Sequence, residues 1–293
     1  MRTIVATVVS RRGMSLLSAC AFLALLTVAA VPAKALQAQN ESPVSEAAPD
    51  AATQQKMLAA MSQYAGEYIS NLPNFICEQV TEQFQAGKKG NRWRQGDTLT
   101  STLTFNQGKE HRNLELVNNK PLKSGMKSWR TPLTTEGEFG VLLSRVFGMS
   151  SNASFQWNGW QSIDGQRVAV FDYSIDQQHS TLRLSRSDLA NAVVPYHGSV
   201  YGNPDTGVIW RVTDSASGLP ADLDTQAIAT SIDYGEVPIG TAKYMVPVKA
   251  TVSLEMKEKK VRNEMTFRNY RKFESQSTIT FGDSTDETPK PPP

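Results

Sequence analysis

Few residues in this chain have the types and spacing that chemistry requires. His111, His179 and His197 are far apart, and neither His-x-His nor His-Glu-x-x-His occurs to bring two imidazoles to one metal. Gly-x-Ser-x-Gly and the glycine loops that cradle phosphates are also absent. Cys77 follows an apolar run, Leu72-Pro73-Asn74-Phe75-Ile76, with no neighbouring base to lower its pKa. It reads as a small buried hydrophobe. Asp172 and Asp176 lie on an alternating segment, as members of a solvated face. Asp205, in Asn203-Pro-Asp-Thr-Gly207, reads as the residue that orders its turn through side-chain hydrogen bonds. No catalytic set and no cofactor or metal site is expected.

Three clusters suit binding better than catalysis. Lys88, Lys89, Arg92, Trp93 and Arg94 combine positive charge with an indole, which suits an anionic lipid headgroup or polymer; an exposed hairpin tip is the plainer reading. Phe155, Trp157 and Trp160, with Gly159 between the tryptophans, fit either core packing or the wall of an apolar pocket. Arg268, Arg271 and Lys272 around Tyr270 read as a solvated strand edge.

The elements that would position these groups are legible from periodicity. Met57, Leu58, Met61, Tyr64, Ala65, Tyr68 and Ile69 fall on one face of a helix that Pro73 ends. A second short helix is expected from Glu136 to Phe147, with Phe139, Leu142, Leu143, Val146 and Phe147 on one side. Elsewhere the period is two. Leu99, Leu103 and Phe105 alternate with threonines, and Ile228, Ile232 and Tyr234 alternate with polar residues. Tyr244 to Met256 and Val261 to Phe273 do the same, joined by the polar hairpin connection Lys257-Glu-Lys-Lys260. Further turns are marked at Asn106–Lys109, Asp164-Gly165 and Asn203–Gly207.

Regular strands with one apolar face describe an antiparallel sheet packed on one side. Two helices are too few to cover both faces of roughly ten strands. The fold class is therefore α+β: a strongly curved antiparallel sheet, a half-open barrel. An N-terminal amphipathic helix and one further short helix lie against its concave side. Met57, Met61 and Tyr64 join Phe155, Trp157 and Trp160 as candidates to line a cavity there. The interior is either packed solid or left partly hollow.

The chain ends speak to location. Arg2, Arg11 and Arg12 precede an apolar run from about Leu16 to Val31, followed by Ala33-Lys34-Ala35, the pattern of a cleaved export leader. Ser10 to Leu16 also resembles a twin-arginine signal. Leu17-Ser-Ala-Cys20 resembles a lipobox, although its cysteine lies inside the apolar run rather than at its end. Residues 1–35 read as a signal peptide removed after about Ala35, residues 36–53 as a flexible linker, 54–282 as a single half-barrel domain and 283–293 as a disordered proline-rich tail. The leader holds four basic groups and no acidic ones, so the formal charge moves from +2 to −2 on cleavage, with no net attraction to nucleic acid. Only Cys77 survives cleavage, so stability must come from a packed core rather than an internal disulfide.

A resemblance adds to this reading. Val200–Arg211 with its Asp205-Thr-Gly207 turn, Ile232-Asp-Tyr-Gly-Glu-Val-Pro-Ile-Gly240, Tyr244-Met-Val-Pro247 and Arg268-Asn-Tyr-Arg-Lys-Phe273 are similar to strand-and-turn segments of secreted bacterial proteins. Those proteins are related to the outer-membrane lipoprotein carrier LolA superfamily. The likeness covers residues 157–281 and is one of strand rhythm, and the charged tip Lys88–Arg94 departs from it. It implies a periplasmic or secreted, non-enzymatic half-barrel that binds, carries or senses an apolar ligand such as a lipid acyl chain. Peripheral contact with a membrane also fits. The alternative is a cell-envelope protein–protein interaction module with a filled barrel and no ligand.

Overall fold

The computed structural model describes residues 5–8, 42–44, 46–88, 90, 92–122, 138–186, 189–221, 223 and 225–273. Strands β1 (Val5–Val8) and β2 (Ser42–Val44) precede helix α1 (Ala51–Asn71). Then come β3 (Phe75–Gly87), β4 (Arg94–Asn106), β5 (Lys109–Val117), β6 (Lys120–Pro121) and helix α2 (Val141–Phe147). The remaining strands are β7 (Ser154–Ile163), β8 (Gln166–Ile175), β9 (Arg183–Arg186), β10 (Leu189–Val193), β11 (Tyr196–Gly202), β12 (Ile209–Ser217), β13 (Thr225–Ile239), β14 (Ala242–Met256) and β15 (Lys259–Lys272).

Twelve strands form one sheet in the order β2-β7-β8-β11-β12-β13-β14-β15-β3-β4-β5-β6. Neighbours pair antiparallel, and the end strands β2 and β6 do not meet, so the curved sheet is a half-open barrel. A smaller sheet joins β1, β9 and β10, with β1 parallel to β9, and Leu184 of β9 packs into the same core as the large sheet.

The expected alternation is present. Leu254, Val252, Ala250 and Val246 of β14 are buried, whereas Lys249 is exposed. Val248 departs from the pattern because a bulge sits there: Asp233 faces Lys249 while Tyr234 faces Pro247. The β14–β15 turn shortens to Lys257–Glu258, since Lys259 and Lys260 already pair with β3. Gln107, Gly108, Asp164 and Gly165 all have positive φ, as tight two-residue hairpin turns need.

Helix α1 starts at Ala51, where Asp50 caps it by accepting a hydrogen bond from the Thr53 amide at 2.7 Å. It stops at Asn71, with Leu72 extended ahead of Pro73. The second helix is shorter than the periodicity predicts. Gly140, at φ 104, cannot belong to a right-handed helix, so α2 begins at Val141 and Phe139 reaches the core from a turn. Positions 136 and 137 lie outside the described residues.

Both helices sit in the concavity. Met61 and Leu143 are fully buried, and Tyr68 meets Tyr234 of β13 edge to face with 5.7 Å between ring centroids. Phe75, Phe105, Phe139, Phe267 and Tyr270 form a continuous aromatic cluster at the end of the sheet where α1 terminates. The apolar inside of the half-barrel is thus filled largely by the chain's own helices.

Candidate functional site

Two glycines set how deeply α1 enters. Gly207, in the β11–β12 turn at φ 72, lies so close to α1 that a Cβ there would be 2.3 Å from the carbonyl carbon of Ala60. Gly202 at the end of β11 receives the Met61 side chain in the same way. The turn is held by Asn203, whose Oδ1 accepts from the amides of Asp205 and Thr206 at 2.9 Å each. The side chain that orders this turn is therefore Asn203, not Asp205. Asn203 comes first in the turn, so the two following amides point back at its side chain.

Between α1 and the connection from α2 to β7 the fit is looser. A recess of about 360 Å³ opens there, in the lower range of ligand pockets. One wall is Gln55, Leu58, Ala59 and Ser62 of α1; the other is Phe147, Met149 and Ala153, with Phe155 of β7 as floor. The rings of Phe147 and Phe155 stack at 5.4 Å and 19°. Met149 stands fully exposed at the rim. A thioether held in water beside stacked phenyl rings is apolar surface without a cover.

Beneath α2 lies a buried ion pair. Arg145 reaches from α2 to Asp214 of β12 at 3.3 Å, its guanidinium 4.6 Å from the centre of the Tyr196 ring. Burial pushes the Asp214 carboxyl up, against the opposing pull of Arg145 and His197. The Nε of Arg145 has no hydrogen-bond partner among the described residues. The pair ties α2 to the sheet directly below the recess.

Of the residues singled out in the sequence, Phe155 lines the recess. Met57 and Met61 are buried in the core, and Tyr64 packs on Tyr68 at 5.9 Å. Trp157 and Trp160 share a face because a bulge falls between them, where Trp157 faces Phe171 and Gly159 faces Val170. Their rings meet edge on at 4.9 Å. The segment before α1 then covers Trp160. Its Nε1 donates to the Ala47 carbonyl at 3.2 Å, and Arg167 lies 3.6 Å over the ring while bonding Glu46 at 2.6 Å. Lys88, Arg92 and Arg94 are exposed and Trp93 half-buried; Lys89 lies outside the described residues. Leu58 and Phe147 were visible only as members of helical stripes, and Met149 sits in an irregular stretch that carries no pattern.

The other reactive side chains are accounted for structurally. Cys77 is 1 % exposed, and burial pushes its thiol up to about 12. His179 bonds Asp176 at 2.9 Å within a turn, and Asp172 accepts from Asn158 and Ser199 at 2.7 and 2.6 Å. His111 and His197 are exposed on β5 and β11. Among the described residues no group of three His, Cys, Asp or Glu side chains is arranged to hold a metal ion.

No family model matches the sequence, and no curated protein matches it. Among solved structures the chain is similar to several. One is a LolA superfamily protein from Nitrosomonas europaea, 10 % identical, with 75 % of this chain and 94 % of that one covered and a TM-score of 0.37. Another is a DUF1329 family protein from Desulfovibrio piger, 9 % identical, with 77 % and 95 % covered and a TM-score of 0.38. The fold rests on the strand order of the chain itself. No helix among the described residues is long and apolar enough to cross a membrane.

Proposed function

We propose that this is an exported, non-enzymatic half-barrel that binds an apolar ligand, such as a lipid acyl chain, in the recess between α1 and the α2–β7 connection. The observation that carries this reading is the exposed Met149 beside the Phe147–Phe155 stack at the mouth of that recess. Binding would rest on apolar area removed from water. At ~0.8 kcal/mol for each buried methylene, a few methylenes along Leu58 and Phe155 hold a chain weakly and a dozen hold it tightly. The recess takes the first few.

An environment-sensitive acyl probe tests it. Its fluorescence should rise on titration into the protein, and Leu58→Asp or Phe155→Asp, each a charge placed in the recess wall, should abolish the rise. An equal rise with both variants, or none with the unaltered protein, would overturn the reading.

The packed interior favours a second reading. With Met61, Leu143 and Phe139 filling the concavity, the barrel can be a solid scaffold whose exposed rim meets another envelope protein. Cross-linking in cells through a photoreactive residue at Met149 separates the two. This reading expects one dominant protein adduct, and the first expects lipid.

A further inference from the structure

The sequence places one basic hairpin tip at Lys88–Arg94; the fold places a second beside it. Because β3 pairs with β15, Lys259 faces Gly87 and Lys260 faces Ala86, and the Lys88 amide donates to the Glu258 carbonyl at 3.2 Å. The β3–β4 and β14–β15 tips therefore lie side by side at one end of the sheet. Residues 84–94 and 257–262 together hold eight lysines and arginines and one glutamate, in a chain otherwise without basic excess.

Between the tips runs a groove of about 480 Å³, lined by Gln85, Ala86, Gly87, Gly90, Arg92, Arg94 and Lys259. The charged residues that line it are all cationic. The surrounding cations have partners: Lys260 bonds Glu255 at 3.2 Å, Arg262 bonds Glu264 at 2.8 Å and stacks 4.4 Å over Trp93, and Lys257 donates to the Ala221 carbonyl at 2.9 Å. Among the described residues Lys88, Arg92, Arg94 and Lys259 make no ion pair. Like charges gathered against a single glutamate repel one another, and a bound anion relieves that repulsion.

We propose that the paired hairpin tips are a docking surface for the phosphate headgroups of an anionic lipid bilayer, separate from the apolar recess and independent of what that recess binds. The half-buried Trp93, stacked under Arg262 between the tips, adds an indole of the kind that suits a headgroup layer. Contact is electrostatic, so it weakens as salt shortens the Debye length.

Sedimentation with vesicles tests this on the full chain purified after export. Vesicles of phosphatidylcholine with one-third phosphatidylglycerol should carry the protein down at low salt, and pure phosphatidylcholine vesicles should not. Arg92→Gln, Arg94→Gln and Lys259→Gln combined should lower partition to the anionic vesicles on the order of a hundredfold. The variant should keep the circular dichroism and Tm of the parent, since none of the three side chains is in the core. Equal binding to neutral vesicles, or unchanged binding by the triple variant, overturns the proposal. Retention on heparin at an ionic strength where anionic vesicles bring down nothing also overturns it, because the partner is then a soluble polyanion.

Discussion

The backbone of Gly207 faces the Ala60 carbonyl so closely that any Cβ at position 207 would lie 2.3 Å from it. This contact seats α1 in the concavity, and through α1 it sets the width of the recess. Backbone cannot yield as a side chain can, and φ 72 is itself unfavourable for an L-residue. Gly207→Ala is expected to cost about 3 kcal/mol. Gly202→Ala meets the buried Met61 side chain from Cγ at 2.9 Å to Cε at 2.6 Å, but no backbone, and should cost less, about 2 kcal/mol. Urea unfolding of the two variants checks the order; equal costs would show that α1 is not held by this turn.

The Arg145–Asp214 pair predicts a distinctive pH dependence. Arg145→Met leaves a buried carboxylate alone, and burial raises its folded pKa further above the value in the unfolded chain. A raised folded pKa means that the folded state holds the proton longer. The associated stability is complete at acid pH, below the unfolded pKa, and is lost as pH rises through the folded pKa. The variant should therefore fall behind the parent increasingly between mildly acid and neutral pH, as read by Tm. Asp214→Asn strands a permanently charged guanidinium and should cost about 3 kcal/mol near neutrality, less at acid pH where the parent's own carboxyl is protonated. The double change Arg145→Met with Asp214→Leu should recover most of the loss.

Cys77 should be inert to thiol reagents in the native protein. Its proton is held to about 12 by burial, so almost no thiolate forms near neutrality. Labelling with a maleimide is expected only after denaturant unfolds the domain. The sign at alkaline pH follows: above the ordinary thiol value the unfolded chain releases this proton first, so stability falls as pH rises. Rapid labelling of the folded protein would contradict the burial described here.

Much of the fold was written in period-two runs and turn residues. Ala250, Val252 and Leu254 alternate with polar neighbours because one side of β14 faces a core, and Asp164-Gly165 marks its hairpin by chemistry that few other dipeptides share. Bulges were not legible, and they matter here. Trp157 and Trp160, three apart, reach the same face only because the β7 register slips between them. The recess was less visible still, since it forms where α1 and the α2–β7 connection fail to close. The cationic groove arises from pairing Lys259 with Gly87, residues distant in the chain. Long-range register of that kind leaves no local trace in composition or spacing.

Native mass spectrometry of the protein released gently from its own cell envelope addresses ligand binding most directly. The expected spectrum shows the polypeptide with an added mass that organic extraction recovers as an acyl lipid, and Leu58→Asp removes that mass. A spectrum of bare polypeptide alone, unchanged when acyl lipid is supplied in excess, would contradict a lipid-binding role for the recess.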